Sequence, residues 1–264
     1  MIESLETLHA IWFAVLAFVL VIYSLTDGFD LGVGILSLFT KDEEQRGIMM
    51  GSLGTVWDAN ETWLVLFGGV LFGAFPIVYG IFARALYIPL VLMLVGLIFR
   101  AVSFEFRPHA DNQRVWSTAF GAGSLLAAAC QGFALGGAMS GLKIEGTTYV
   151  GGVFPWVNLF ALMVVFTLIS VYTLLGSTYL VMKTEGKLQQ LGYKGAAWSI
   201  FSALLFALGA LIWAAIRYEF VRETWFSQSP LFLVTVIPMI LSAVCIGMIL
   251  VSLAQRRRSE ERRV

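Results

Sequence analysis

The chain alternates long apolar stretches with short polar ones. Seven apolar segments stand out: Leu8–Phe39, Val56–Phe82, Ala85–Phe104, Trp116–Met139, Trp156–Met182, Ala196–Ile216 and Leu231–Leu253. Each is close to or above the roughly 20 helical residues that cross a bilayer. Backbone polar groups in lipid must be satisfied within their own segment, so these segments are predicted to be helices. The alternating pattern of an outer-membrane barrel is absent. The first segment is long, since 32 residues of helix span about 48 Å. It is expected to tilt or to project from the bilayer, and its second half carries polar residues. The fold class is therefore an all-α polytopic membrane protein of about seven transmembrane helices.

Composition agrees with that pattern. Of 264 residues, 59% are hydrophobic and 13% charged, whereas a soluble domain carries about 25% charged and 45–50% apolar residues. The formal net charge is zero, so no overall field points to nucleic acid. Met1–Thr7 contain Glu3 and Glu6 but no Lys or Arg. That is the wrong flank for a cleaved secretory signal, and the first segment is expected to remain as a span. No Gly-rich phosphate loop or nucleotide-binding βαβ unit occurs. Cys130 and Cys245 sit in apolar stretches and read as small buried hydrophobes rather than a disulfide or metal pair.

Orientation follows from Lys and Arg in the connecting loops. One set of loops holds Arg84, Lys143, Arg217 and Arg222. The other set, with the C-terminal tail, holds the remaining 13 of the 17 basic residues. The N-terminus is accordingly expected outside and the C-terminus in the cytoplasm, which also needs an odd number of spans.

Most acids lie in loops, but four do not. Asp27 and Asp30 fall in the first segment, and Asp58 and Glu61 at the start of the second. Each pair is spaced i, i+3 and so shares a helix face. An ionisable group within a span costs on the order of 2.5–3.5 kcal/mol on insertion scales, and such groups mark ion or proton paths. With the N-terminus outside, all four lie in the cytoplasmic half, and the short loop 40–52 makes their helices antiparallel neighbours. Both pairs can thus line one polar mouth, where desolvated carboxylates hold and release protons near neutral pH. The plainer reading is that Asp27 and Asp30 are interfacial and that Asp58 and Glu61 are first-turn acids favoured by the helix dipole. Arg100 and Glu105, at the cytoplasmic end of the third segment, are candidates to pair with these acids or with each other; otherwise Arg100 snorkels to the interface.

Other features are less specific. Gly28 with Gly32, and Gly132 with Gly136, have the small-xxx-small spacing that lets helices approach closely. Trp57, Trp63, Trp116, Trp156 and Trp225 lie near segment ends, as an aromatic belt would. His9 and His109 are predicted at opposite membrane faces, so they cannot provide facing axial ligands to one haem. No haem and no metal site are expected on this chain.

Two blocks carry a family resemblance. The run from Trp12-Phe13 through Thr26-Asp27-Gly28-Phe29-Asp30-Leu31-Gly32-Val33-Gly34-Ile35 resembles the first helix of cytochrome bd oxidase subunit II. So does Val56-Trp57-Asp58-Ala59-Asn60-Glu61-Thr62-Trp63-Leu64, followed by Gly68-Gly69 and Phe75-Pro76. Phe99-Arg100, Phe104-Glu105-Phe106-Arg107 and, more loosely, Gly176-Ser177-Thr178-Tyr179-Leu180 are similar too. The resemblance implies the non-haem subunit of a quinol oxidase in the respiratory chain of a bacterial inner membrane. Its partner, in a heterodimer, would be a larger subunit I bearing haems of b and d type, with room for a small accessory subunit and membrane lipids. Quinol is then the substrate of the complex and dioxygen is reduced to water. The resemblance maps a proton route onto Trp57 and Asp58; the spacing and depth of the acids add Glu61, Asp27 and Asp30 to it, with Asn60, Arg100 and Glu105 as supporting residues. It assigns this chain no catalytic residue, and which residues would touch a cofactor is unknown.

Family members usually build two four-helix bundles plus a further helix. Here residues 1–140 read as the first bundle, and 141–264 as a second, incomplete one of three spans with a basic cytoplasmic tail. The chain so reads as a short form, either natural or incomplete. Two other readings remain: an independent proton- or cation-coupled transporter, for which no internal repeat is visible, and a purely structural assembly partner.

Overall fold

The computed structural model describes residues 2–226 and scattered positions between 240 and 251. The first helix, α1 (Ile2–Ser37), is followed by a short α2 (Glu43–Leu53). Asp42 caps α2 by accepting from the Glu44 amide at 3.0 Å. Arg46 of α2 then donates to the Ser37 and Thr40 carbonyls, satisfying groups that the end of α1 leaves free. The stretch expected to be a plain loop is thus a helix whose Met49, Met50 and Leu53 are buried against the bundle end.

The second segment is not one helix. It is divided into α3 (Trp57–Ala74) and α4 (Pro76–Ala85), because Pro76 has no amide to donate and its ring excludes a helical Phe75; Phe75 sits at φ −133°, ψ 58°. The remaining helices are α5 (Tyr87–Phe106), α6 (Gln113–Met139), α7 (Leu159–Lys183), α8 (Gly186–Arg217) and α9 (Glu219–Phe226). A 3-10 turn at Arg107–His109 follows α5. A hairpin of β1 (Ile144–Glu145) and β2 (Thr148–Tyr149) turns at Gly146, which has a positive φ of 60°.

Asn112 and Asn158 cap α6 and α7 through their side-chain oxygens. The helix α8 begins ten residues before the apolar window that announced it, because its first turns carry Lys187, Gln189, Gln190 and Lys194. Among the described residues, five helices are long and apolar enough to cross a membrane: α1, α5, α6, α7 and α8. With 18 residues α3 is long enough, but Asp58, Asn60 and Glu61 dilute its apolar character. Most of the expected Leu231–Leu253 span lies outside the described residues.

The helices close on one another through glycine. A Cβ on Gly32 of α1 would lie on the Tyr172 carbonyl of α7, and one on Gly176 would meet the Gly32 backbone. Gly132 and Gly136 of α6 lie against Val165 and Ala161 of α7. Both small-xxx-small pairs therefore serve packing within the chain, and α7 packs on α1, α6 and α8 alike.

Candidate functional site

The second half of α1 turns a stripe of Val19, Tyr23, Asp27 and Asp30 inward. Spacings of three and four residues keep these side chains on one face. Asp27 and Asp30 are both 0% exposed, and so is Arg100 of α5. The guanidinium bridges two helices: Arg100 Nη1 donates to Asp27 Oδ1 at 2.5 Å and Nη2 to Glu61 Oε2 of α3 at 3.0 Å. A planar guanidinium can satisfy two carboxylates from fixed directions, which an ammonium cannot. The interfacial, snorkelling position considered for Arg100 is therefore not what the fold adopts.

Asp30 takes a different partner. Asn60 Nδ2 donates to Asp30 Oδ2 at 2.9 Å and lies 3.4 Å from the Thr26 carbonyl. Three polar atoms of the cluster, Asp27 Oδ2, Asp30 Oδ1 and Arg100 Nε, are buried without a hydrogen-bond partner among the described residues. Three carboxyl groups around one guanidinium would, if all were ionised, leave a net charge of −2. Glu61 is the member closest to the outside, with a side chain 24% exposed.

The remaining residues read from the sequence lie apart from this cluster. Asp58 is exposed, and its carboxylate has no ion pair or hydrogen bond among the described residues. Thr62, Val65, Leu66, Gly69, Phe72 and Gly73 continue its face along α3 and are exposed as well. Trp57 is half-buried and stacks on Phe104 with ring centroids 5.0 Å apart. Glu105 is exposed and joins neither Arg100 nor the acids; its carbonyl lies 3.2 Å from His109 Nδ1. His109 follows α5 at the cluster end, whereas His9 lies near Phe75 at the other end of the bundle.

Two features went unread in the sequence. Tyr172 donates from its hydroxyl to Gln131 Oε1 at 2.8 Å, and Gln131 Nε2 donates to the Tyr23 hydroxyl at 2.6 Å. This chain of α7, α6 and α1 side chains continues the polar interior one turn beyond Asp27. Its only signal was a glutamine deep in an apolar span. At the bundle end, Arg107 donates to Ser117 and to the Glu43 carbonyl, and Ser117 donates to Glu43 Oε2, which pins α2 in place.

These elements define a polytopic helical membrane protein with an arginine–carboxylate centre buried at one end of its bundle. The sequence model for cytochrome bd terminal oxidase subunit II matches residues 8–262, and the chain belongs to that family. The probable cytochrome oxidase subunit 2 of Haemophilus influenzae is 36% identical over 193 residues, covering 70% of this chain and 51% of that protein. The cytochrome bd-I ubiquinol oxidase subunit 2 of Escherichia coli K12 is 33% identical over 192 residues, covering 69% and 51%. The cytochrome bd ubiquinol oxidase subunit 2 of Bacillus subtilis is 30% identical over 197 residues, covering 73% and 58%. The chain thus spans about half the length of the curated relatives it matches. The solved bd oxidase of Geobacillus thermodenitrificans shares the fold, with a TM-score of 0.70 at 19% identity, over 83% of this chain and 70% of that one.

Proposed function

We propose that this chain is the non-haem subunit of a membrane quinol:dioxygen oxidoreductase and that its acids carry protons from the cytoplasm toward a haem-bearing subunit I. The observation that carries the reading is the juxtaposition on α3 of two acids in different settings. Glu61 is joined to the sealed Arg100–Asp27 pair. Asp58, one turn earlier, is exposed with its carboxylate free. An unpaired carboxylate cannot rest against hydrocarbon without large cost, so the Asp58 face is the one that meets subunit I, and Asp58 is the group that passes the proton across. Gly69 and Gly73 on that face have open space where a Cβ would stand, which suits close approach of a partner helix.

In this reading the acid cluster faces the cytoplasm, with the N-terminus outside and the basic tail inside, as the loop charges require. Asp27 and Arg100 hold the cluster's geometry, and Asp30, Asn60 and Glu61 extend it; Trp57, stacked on Phe104, stands beside Asp58 at the start of α3. Residues 1–140 form the first bundle, and residues from 141 onward begin the second. The haems belong to the partner in this scheme, because His9 and His109 stand at opposite ends of the bundle and cannot face each other. The transporter reading has no support in the family match.

Purification supplies the test. The chain should co-purify with a haem-bearing subunit, seen in a reduced-minus-oxidised spectrum; recovery alone and colourless would sink the oxidase assignment. Replacing Asp58→Asn should lower oxygen-reduction turnover at least tenfold while haem content and assembly persist. Unchanged turnover would remove Asp58 from the proton route.

A further inference from the structure

At the end of the bundle opposite the carboxylate cluster, a cavity of about 660 Å³ opens between the α4–α5 junction and the β1–β2 hairpin. Its wall is well fixed. Tyr149 is buried against Ile81, Ala85 and Leu86, and its hydroxyl donates to the Gly152 carbonyl at 2.7 Å. The Val150 amide donates to the Lys143 carbonyl at 3.0 Å, tying the strand end back to the hairpin. Arg84 is the one charged residue of the lining, which contains no acid. Among the described residues Arg84 has neither an ion pair nor a hydrogen bond. The hydroxyl-bearing residues Tyr87 and Thr148 line the same cavity.

A second observation lies below its mouth. Tyr87, Val91, Leu94 and Ile98 are all exposed, and their spacing of four, three and four residues sets them in one stripe along α5. The stripe starts in the cavity and runs down a helix that is long and apolar enough to cross a membrane. A guanidinium without a counter-ion at the top of an apolar track is complementary to an amphiphile with an anionic head. Its planar fork matches two oxygens of a phosphate group.

We propose that this cavity binds the headgroup of an anionic phospholipid, with Arg84 on the phosphodiester and an acyl chain along the α5 stripe. Free phosphate would meet Arg84 but leave the stripe uncovered. A zwitterionic lipid brings a phosphate already neutralised by its own cation. Only an anionic lipid brings both an acyl chain for the stripe and a net negative charge for Arg84.

The test is native mass spectrometry of the delipidated protein, in whatever complex it purifies with, titrated separately with phosphatidylglycerol, phosphatidylcholine and inorganic phosphate. One phosphatidylglycerol should bind in preference to the other two. Arg84→Gln should weaken it about tenfold, equivalent to about 1.4 kcal/mol, and Arg84→Lys by less. Because Arg84 is exposed, the variant should melt at the wild-type temperature without lipid and lose the rise in Tm that phosphatidylglycerol gives. Equal binding of phosphatidylcholine would overturn the proposal. So would displacement of the lipid by inorganic phosphate at comparable concentration, or an unchanged affinity in Arg84→Gln.

Discussion

Replacing Arg100→Met removes the one cation from a cluster that is otherwise acidic. Arg100 and Asp27 are each 0% exposed and in direct contact, and Glu61 is joined to the same guanidinium at 3.0 Å. Methionine fills a similar volume but leaves Asp27 buried with no counter-charge. Breaking a buried pair from one side costs about 3–5 kcal/mol, most of it the uncompensated charge left behind. Arg100→Lys should be milder, because an ammonium keeps the charge but cannot fork to both carboxylates; losing one charge-assisted hydrogen bond costs about 1.5–3 kcal/mol. The double change Arg100→Met with Asp27→Leu should be less destabilised than Arg100→Met alone, since the fully buried carboxylate is then gone and only the partly exposed Glu61 is left unpaired. The assay is unfolding of the purified protein in mixed detergent micelles, with Lys143→Gln as an exposed control. Unfolding of Arg100→Met within about 0.5 kcal/mol of that control, the range of ordinary surface changes, would show that the buried pair does not hold the cluster. A double variant no more stable than the single one would show the same.

Other outcomes follow from the packing. Gly32→Ala should lower stability by at least about 1–3 kcal/mol, as overpacking does, because its Cβ would lie on the Tyr172 carbonyl; a wild-type melting temperature would contradict the close contact of α1 and α7. Gly69→Leu should leave this chain's own stability unchanged, since a Cβ there would meet no other part of the described residues within 4 Å, but should reduce recovery of the proposed partner subunit in a pull-down. Gln131→Leu leaves the Tyr23 and Tyr172 hydroxyls without the amide that joins them; the expected cost is about 1–3 kcal/mol for unsatisfied buried groups, read from the same unfolding curves.

Much of this fold was legible because lipid imposes one rule on every span. The apolar windows located α1, α5, α6 and α7 closely, and the small-xxx-small pairs correctly announced close packing. The failures had local causes. The window over α3 and α4 ran through Pro76, since hydropathy does not register a missing amide. The start of α8 was hidden because its first turns are polar. In the same way α2 was hidden in a short polar stretch: its helix depends on the Asp42 cap and on Arg46, Arg107 and Ser117, which are contacts made across the sequence.

At the site, residue type and depth identified Asp27, Asp30 and Glu61 as buried or nearly so. They could not separate Arg100 at an interface from Arg100 in the core, nor give it Asp27 and Glu61 rather than Glu105 as partners. Those choices turn on which face of α5 points inward, and α5 is apolar on every side. Asp58 shows the same limit from the other direction. Its i, i+3 relation to Glu61 placed both acids near one face, yet one turn of helix is enough to bring Glu61 to Arg100 and leave Asp58 outside.

That separation bears on which acid can move a proton. If Asp27 took up a proton, its buried guanidinium partner would lose its closest counter-charge, a change the packing resists. Asp58 can gain or lose a proton without disturbing an ion pair. Asp30, held by a neutral amide, lies between the two cases. On this argument Asp27→Asn should act mainly on folding, lowering assembly and haem recovery together, whereas Asp58→Asn should act on turnover with both preserved. The two variants in one strain background, compared by haem content per purified complex and by oxygen consumption per haem, distinguish the roles. If Asp27→Asn assembled fully and lost turnover as Asp58→Asn does, Asp27 would have to be a carrier, and the Arg100 pair would have to open during the cycle.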